Sequence, residues 1–269
     1  MNKFKINFRI LIPIILLSII SITSIYSAMT YTSAALGNLV IKQSIWYLIG
    51  WILVFVLIKL KNEQIYNYTW FLYFFGNLLL LGLLLFAPEI NNSKCWFVIP
   101  GIGNIQPSEF MKIFLMLALA TTIHNFRMDY DNPTMLDELF FIIKTFILVL
   151  IPSILTFLQP DTGSVIIYLV IYLSMLFVSG IRFRWFIIGG LILILLCSGL
   201  LFIYFYKENL FINIFGSSLY YRLDRIFNWQ TGSGLQLENA LAAIGSAGLF
   251  GHGFNKTPLY FPESSTDFI

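Results

Sequence analysis

The chain has 269 residues, 58% of them hydrophobic and only 11% charged, with a mean hydropathy of +0.83. That balance excludes a soluble domain and points to a polytopic membrane protein. The formal net charge of +3 is spread over loops and builds no basic face, which excludes a nucleic-acid-binding surface.

A membrane-crossing helix needs about 20 mostly apolar residues. Lys3, Lys5 and Arg9 precede a long apolar run that lacks a convincing small-residue cleavage pattern, so residues 10–27 read as a retained first helix. Further spans are expected at 44–60, 68–87, 108–123, 139–158, 164–180 and 185–206. That makes about seven spans and an all-α, polytopic transmembrane helix bundle. Lys3, Lys5, Arg9, Lys59, Lys61, Arg127, Arg182 and Arg184 fall on one side of these spans, while only Lys42 and Lys94 fall on short loops opposite. The positive-inside rule then places the N-terminus in the cytoplasm and turns three polar segments outward: residues 88–107, the turn around Asp161, and the chain from Lys207 onward. Residues 207–267 form a large extracytoplasmic loop, too long for a connector, whose apolar piece at 241–250 is expected to fold back as a half-helix or re-entrant segment. No repeat or linker marks a second domain, so residues 1–269 read as one integral membrane domain.

Cys95 in a polar loop and Cys197 in an apolar run suit loop chemistry and packing better than a disulfide or metal site. Ionisable groups within spans are costly and face either a partner or a cavity. Glu109 and Lys112 stand at i and i+3 near the outer end of the fourth span, spaced to pair on one helix face. Such a pair either orients helices or shapes a site. Gln106-Pro107-Ser108 is a helix start, with proline in the first turn and Glu109 placed to meet the helix dipole. Gln159-Pro160-Asp161-Thr162-Gly163 sets a carboxylate at the mouth of the sixth span, either as an N-cap or as part of a site on the shared face. Residues 248–253 look like a phosphate-cradling loop but follow no strand, so their glycines are read as turn formers. His124 and His252 stand alone and are not read as metal ligands. In the long loop, Arg222, Arg225 and Lys256 accompany Glu263 and Asp267. Guanidinium groups suit phosphate oxygens, and a nearby carboxylate can take a proton from an attacking hydroxyl. The combination fits transfer from a lipid-linked phosphate donor; the alternative is a loop laced with surface salt bridges.

Several motifs occur in order: Trp96, Gln106-Pro107-Ser108-Glu109 with Lys112, Gln159 through Gly163, Arg225-Ile226, Gln236, Ala243-Ile244-Gly245-Ser246, Gly251-His252-Gly253, and Pro262-Glu263 through Thr266-Asp267-Phe268-Ile269. Together they resemble the SEDS family of shape, elongation, division and sporulation proteins over nearly the whole chain. The resemblance implies a peptidoglycan glycosyltransferase that polymerises lipid II on the outer face of the bacterial cytoplasmic membrane, with a class B penicillin-binding protein as partner. It implies Asp267 as general base of an inverting transfer and Arg222 and Arg225 at the diphosphate. Trp96, Lys94, Glu109, Lys112, Asp161 and Glu263 would then line the substrate site. No ligand cluster demands a metal; a divalent cation, Mg or Mn, is left open as a helper at the diphosphate.

The chain departs from the family pattern in places. The usual Gly-Ala-x-Arg-Trp stands here as Asn92-Ser93-Lys94-Cys95-Trp96, so the arginine is missing and Lys94 replaces it only in part. Ser265 stands for a histidine and Ala247 for a glycine. The family has typically about ten spans against about seven here, so the chain is expected to be C-terminally incomplete and poorly active by itself. A lipid II flippase or a non-catalytic scaffold for a penicillin-binding protein is the alternative reading, and elongation, division and sporulation members share these motifs.

Overall fold

The computed structural model describes residues 7–29, 39–60, 62–89, 93–99, 103–217, 220, 223, 224 and 235–256. The helices are α1 (Phe8–Met29), α2 (Leu39–Lys59), α3 (Asn62–Asn67), α4 (Thr69–Phe86), α5 (Pro107–Asp129), α6 (Met135–Leu158), α7 (Thr162–Ser179), α8 (Arg184–Tyr206), α9 (Glu208–Phe215) and α10 (Leu235–Ser246). Strands β1 (Phe97–Ile99) and β2 (Gly103–Ile105) pair antiparallel between α4 and α5, with Phe97 opposite Ile105. The chain is an all-α membrane bundle, and this short hairpin is the one sheet among the described residues.

All seven expected spans coincide with helices, and six of them are long and apolar enough to cross a membrane. The exception is α5, which carries Glu109, Lys112, His124, Arg127 and Asp129. It packs against α4, α6 and α7 and buries Met111, Leu115, Ala118, Leu119 and Phe126 among them. Its charged residues stand toward the two ends of the helix, with Glu109, His124, Arg127 and Asp129 exposed and Lys112 half-buried, while the buried face is apolar or small. By contrast α2 buries no residue, as expected of a helix apolar all round.

The chain divides into two compact units, Phe55–Gly189 and Met1–Val54 with Gly190–Ile269. The first holds α4 to α7 around a core of Tyr73, Leu80, Met111, Leu115, Val149, Tyr168 and Tyr172. Lipid offers helices no hydrophobic reason to associate, so close packing and interhelical hydrogen bonds carry the bundle. At Gly76 the α4 and α5 backbones come so near that a Cβ there would lie 2.7 Å from Met111 Sδ and 2.8 Å from Phe114 Cδ2. Pro152 inside α6 has no N–H for the Leu148 carbonyl one turn back. Tyr73 Oη of α4 donates to that carbonyl at 2.9 Å, converting a helix defect into a helix–helix bond.

At the end where α5 and α7 finish, the polar groups are also paired. Thr134 and Asp137 form a reciprocal capping box that starts α6. Arg127 Nε and Nη2 both donate to the Ser179 carbonyl at the close of α7, beside Gly180 at φ +71. Glu138, only 2% exposed, accepts from Trp185 Nε1 at 2.8 Å and lies 3.7 Å from Arg182 Nε. A buried carboxylate survives because both a donor and a cation reach it.

In the second unit, Phe211 of α9 is buried against Tyr204 and Tyr220, and Tyr204 Oη donates to Asp224 Oδ1 at 3.3 Å. The apolar stretch expected to fold back divides between the end of α10 and a turn. Leu249 and Phe250 in that turn are 98% exposed, so they do not pack on the described residues.

Candidate functional site

The polar junction of the first unit lies where α4 and α6 end and α5 and α7 begin. Its centre is Asp161, the N-cap of α7. Asp161 Oδ1 accepts from the Ser164 backbone N–H at 3.0 Å, satisfying one of the orphan donors of the helix start. Oδ2 accepts from Ser164 Oγ at 2.7 Å, Gln106 Nε2 at 2.9 Å and Ser108 Oγ at 3.1 Å. The carboxylate therefore joins the start of α7 to the start of α5.

That geometry explains the local sequence. Pro107 occupies the first turn of α5, where its missing N–H costs nothing, and Gln106 is the N-cap by backbone position but makes no side-chain cap. Its amide is spent on Asp161. The Ser108 carbonyl accepts from Tyr168 Oη at 3.0 Å, so α7 holds α5 at a second point one turn deeper.

Gln159 fastens the junction to α4 and to the loop that carries Cys95. It is fully buried, its Nε2 donates to the Leu80 carbonyl at 2.8 Å, and its own carbonyl accepts from Cys95 Sγ at 3.0 Å. Cys95 is thus a buried packing residue at the position where the sequence pattern led one to look for an arginine. Burial pushes its thiol above the ordinary range, a hydrogen bond with Ser93 opposes this, and the negative charge of Asp161 adds to the rise.

Trp96 and Lys94 flank Cys95 and are half-buried, and Lys94 makes no ion pair among the described residues. Lys112 Nζ reaches both oxygens of Glu109, at 2.7 and 2.8 Å, as the i, i+3 spacing predicts. The Lys112 side chain is 19% exposed and the Glu109 side chain 55% exposed, so the pair is not sealed in the core. No group of three His, Cys, Asp or Glu side chains able to hold a metal occurs among the described residues.

Two of the three polar segments that were expected to share a face therefore meet, through Gln106, Ser108, Asp161, Gln159 and Cys95. Asp267, Glu263, Arg222 and Arg225 lie outside the described residues. Sequence reasoning named Asp161 but not the hub role of Gln159 or the partnership of Gln106. A glutamine in mid-motif gives no local sign of a partner 79 residues away.

Residues 7–269 match the family model FTSW_RODA_SPOVE, described as a cell cycle protein. A probable peptidoglycan glycosyltransferase FtsW of Haemophilus influenzae is 28% identical over 274 residues, covering 97% of this chain and 64% of that protein. The crystal structure of the rod shape determining protein RodA of Thermus thermophilus superposes with a TM-score of 0.57 at 25% identity, over 73% of this chain and 61% of that one. A peptidoglycan synthase complex described for its coordination of polymerization and crosslinking shares the fold, with a TM-score of 0.61 at 24% identity over 86% of this chain and 63% of that one. In each case the chain spans less than two thirds of the other protein. The chain belongs to the FtsW, RodA and SpoVE family of cell cycle proteins.

Proposed function

We propose that this chain belongs to a peptidoglycan glycosyltransferase that polymerises lipid II into glycan strands during cell-wall synthesis. The observation that best supports this reading is the Asp161 junction. In a chain of this family it gathers two outer-loop motifs beside the Glu109–Lys112 pair at one end of the bundle. Arg127, Arg182 and Arg184 crowd the opposite end, which the positive-inside rule assigns to the cytoplasm, so the junction faces outward.

In this reading the 4-hydroxyl oxygen of the acceptor sugar attacks the anomeric carbon of the lipid-linked donor. The bond from that carbon to the diphosphate breaks, undecaprenyl diphosphate departs, and Asp267 takes the hydroxyl proton as general base. Attack opposite the leaving group inverts the anomeric centre. Arg222 and Arg225 stabilise the charge growing on the diphosphate, by the logic of any preorganised anion site; a divalent cation, Mg or Mn, would share that task. Trp96, Lys94 and Glu263 contact substrate. Glu109 and Lys112 shape the cavity, and Asp161 acts by holding the α5 and α7 termini in place. A class B penicillin-binding protein would cross-link the product.

The test is to give the purified full-length protein that contains this chain labelled lipid II and size the products. Glycan polymer from the wild type and none from Asp267→Asn is the expected result. Lipid II crossing vesicle membranes without polymer would replace the enzyme by a flippase. Normal wall synthesis in cells whose only copy carries Asp267→Asn would favour a scaffold.

A further inference from the structure

At the end of the first unit away from the Asp161 junction, α7 finishes and α8 begins. There Arg182, Phe183, Arg184 and Ile187 line an open cleft of about 550 Å³. From Arg184, α8 runs 23 residues to Tyr206 with no further charge. At 1.5 Å per residue that is about 35 Å, close to the roughly 30 Å of hydrocarbon that a span must cross. Arg184 therefore stands where hydrocarbon gives way to lipid headgroups, and the cleft opens at that level.

The two arginines differ in what already holds them. Arg182 Nη2 donates to the Pro133 carbonyl at 2.7 Å and its Nε lies 3.7 Å from Glu138 Oε1, so this guanidinium is fixed in direction and its charge is offset. The Arg184 side chain is exposed and makes no hydrogen bond or ion pair among the described residues. No acid lines the cleft itself; Glu138 and Asp131 line a neighbouring cavity of about 330 Å³ that shares Arg182. The cleft thus holds a positive charge without a counter-charge among the described residues. Beside it, the Ile187 N–H donates to the Phe183 carbonyl at 3.3 Å, which sets these two exposed side chains one turn apart on one face. The positive-inside rule accounts for arginines at this end of the bundle, but not for a guanidinium oriented by the fold between apolar walls.

We propose that this cleft binds an anionic phospholipid of the surrounding leaflet, with its phosphate between Arg182 and Arg184 and its acyl chains against Phe183 and Ile187. Guanidinium groups present planar, paired donors that match phosphate oxygens, and basic pockets at the membrane boundary take anionic headgroups. Because Glu138 offsets Arg182, the charge left over matches a headgroup with a single net negative charge, such as phosphatidylglycerol, and not a zwitterion. Free phosphate would satisfy the arginines but leave Phe183 and Ile187 uncovered, whereas a lipid covers both. The site is distinct from the Asp161 junction and does not depend on the proposed glycosyltransferase activity.

The experiment titrates the purified full-length protein that contains this chain, in mixed detergent micelles, with dioleoyl phosphatidylglycerol and with dioleoyl phosphatidylcholine. A basic side chain near an anionic lipid surface contributes about 5-fold in affinity, so phosphatidylglycerol should bind about 5-fold or more tightly than phosphatidylcholine. Arg184→Gln should remove about 5-fold of the phosphatidylglycerol affinity, and its unfolding in lipid-free detergent should match wild type because Arg184 holds nothing in the fold. Lys59→Gln takes the same charge from the end of α2, outside the cleft, and should leave binding within about 2-fold. Arg184→Lys keeps the charge but loses the planar fork, and should bind about 2-fold or more weakly than wild type. Ile187→Ser keeps both arginines and should weaken the lipid about 3-fold or more. A phosphatidylglycerol with a photoreactive headgroup should label the peptide that carries residues 182–187. Equal losses in Arg184→Gln and Lys59→Gln would reduce the site to general surface attraction and overturn it, as would labelling confined to other peptides or no preference between the two lipids. Displacement of the lipid by excess inorganic phosphate, with Ile187→Ser unchanged, would overturn the lipid as the ligand.

Discussion

Replacing Asp161 by alanine takes away one carboxylate that four donors share. Two of those donors belong to Ser164, at 3.0 Å from the backbone and 2.7 Å from the hydroxyl, and two arrive from the start of α5, at 2.9 Å from Gln106 and 3.1 Å from Ser108. Loss of an N-cap costs about 0.5–2 kcal/mol, and a hydrogen bond to a charged acceptor contributes about 1.5–3 kcal/mol. The sum is smaller than four such bonds, because the Ser108 and Ser164 hydroxyls already lie 3.4 Å apart and can turn to one another. That leaves the Gln106 amide and the Ser164 N–H as the donors that lose most, so Asp161→Ala should cost about 2–4 kcal/mol. Asp161→Asn keeps a good capping oxygen but turns an NH2 group toward donors, and should cost about 1–2 kcal/mol. Unfolding in a single detergent, followed by tryptophan fluorescence, should rank wild type above asparagine and asparagine above alanine. A double-mutant cycle with Gln106→Ala should show coupling of about 1 kcal/mol. Alanine as stable as wild type, or strictly additive single changes, would show that the carboxylate does not join the two helix starts.

The hub glutamine and the loop cysteine give two further tests. Gln159→Leu removes the Nε2 bond to Leu80, a loss of about 1 kcal/mol, but also removes Oε1, which is buried without a partner and carries a penalty of about 1–3 kcal/mol. The variant should therefore be as stable as wild type or slightly more so in the same unfolding assay, and a loss above about 2 kcal/mol would contradict the orphaned oxygen. Cys95 titrates above its unfolded value, so its contribution to stability is fully present below the ordinary thiol pKa of about 8.5 and is lost as pH climbs through the raised folded value. Unfolding measured from pH 7 to 10 should show an alkaline loss that Cys95→Ser abolishes, and identical profiles would refute the buried, protonated thiol.

What the sequence made legible follows from the range over which each interaction acts. Hydropathy is a property of each segment, so all six apolar spans among the described residues were visible, and the polar α5 was still found because Pro107 and Glu109 mark a helix start. Asp161 as an N-cap was visible for the same reason, since Ser164 is three residues away. The β hairpin was not, because two strands of three residues carry no periodicity to read. Glu138 was hidden by its position: beside Asp137 in a first helical turn it looks like an acid placed for the helix dipole, and only the fold brings Trp185 to it from 47 residues away.

The same reasoning separates the acids of the first unit by what they remain free to do. In a bundle surrounded by lipid, polar side chains find partners inside the chain or lose stability, so motifs that are separate in sequence become one network at the Asp161 junction. A carboxylate that already accepts four hydrogen bonds has little capacity left for a ligand, and Asp161 is such a group. Glu138 is likewise held by Trp185 and Arg182. Glu109 differs, because its single partner is Lys112 and its side chain remains 55% exposed. Of these three acids, Glu109 alone keeps open surface, with Lys112 held against it. The α5 pair and the Trp96 loop therefore keep polar surface that the buried acids do not, and the buried acids hold those elements in place.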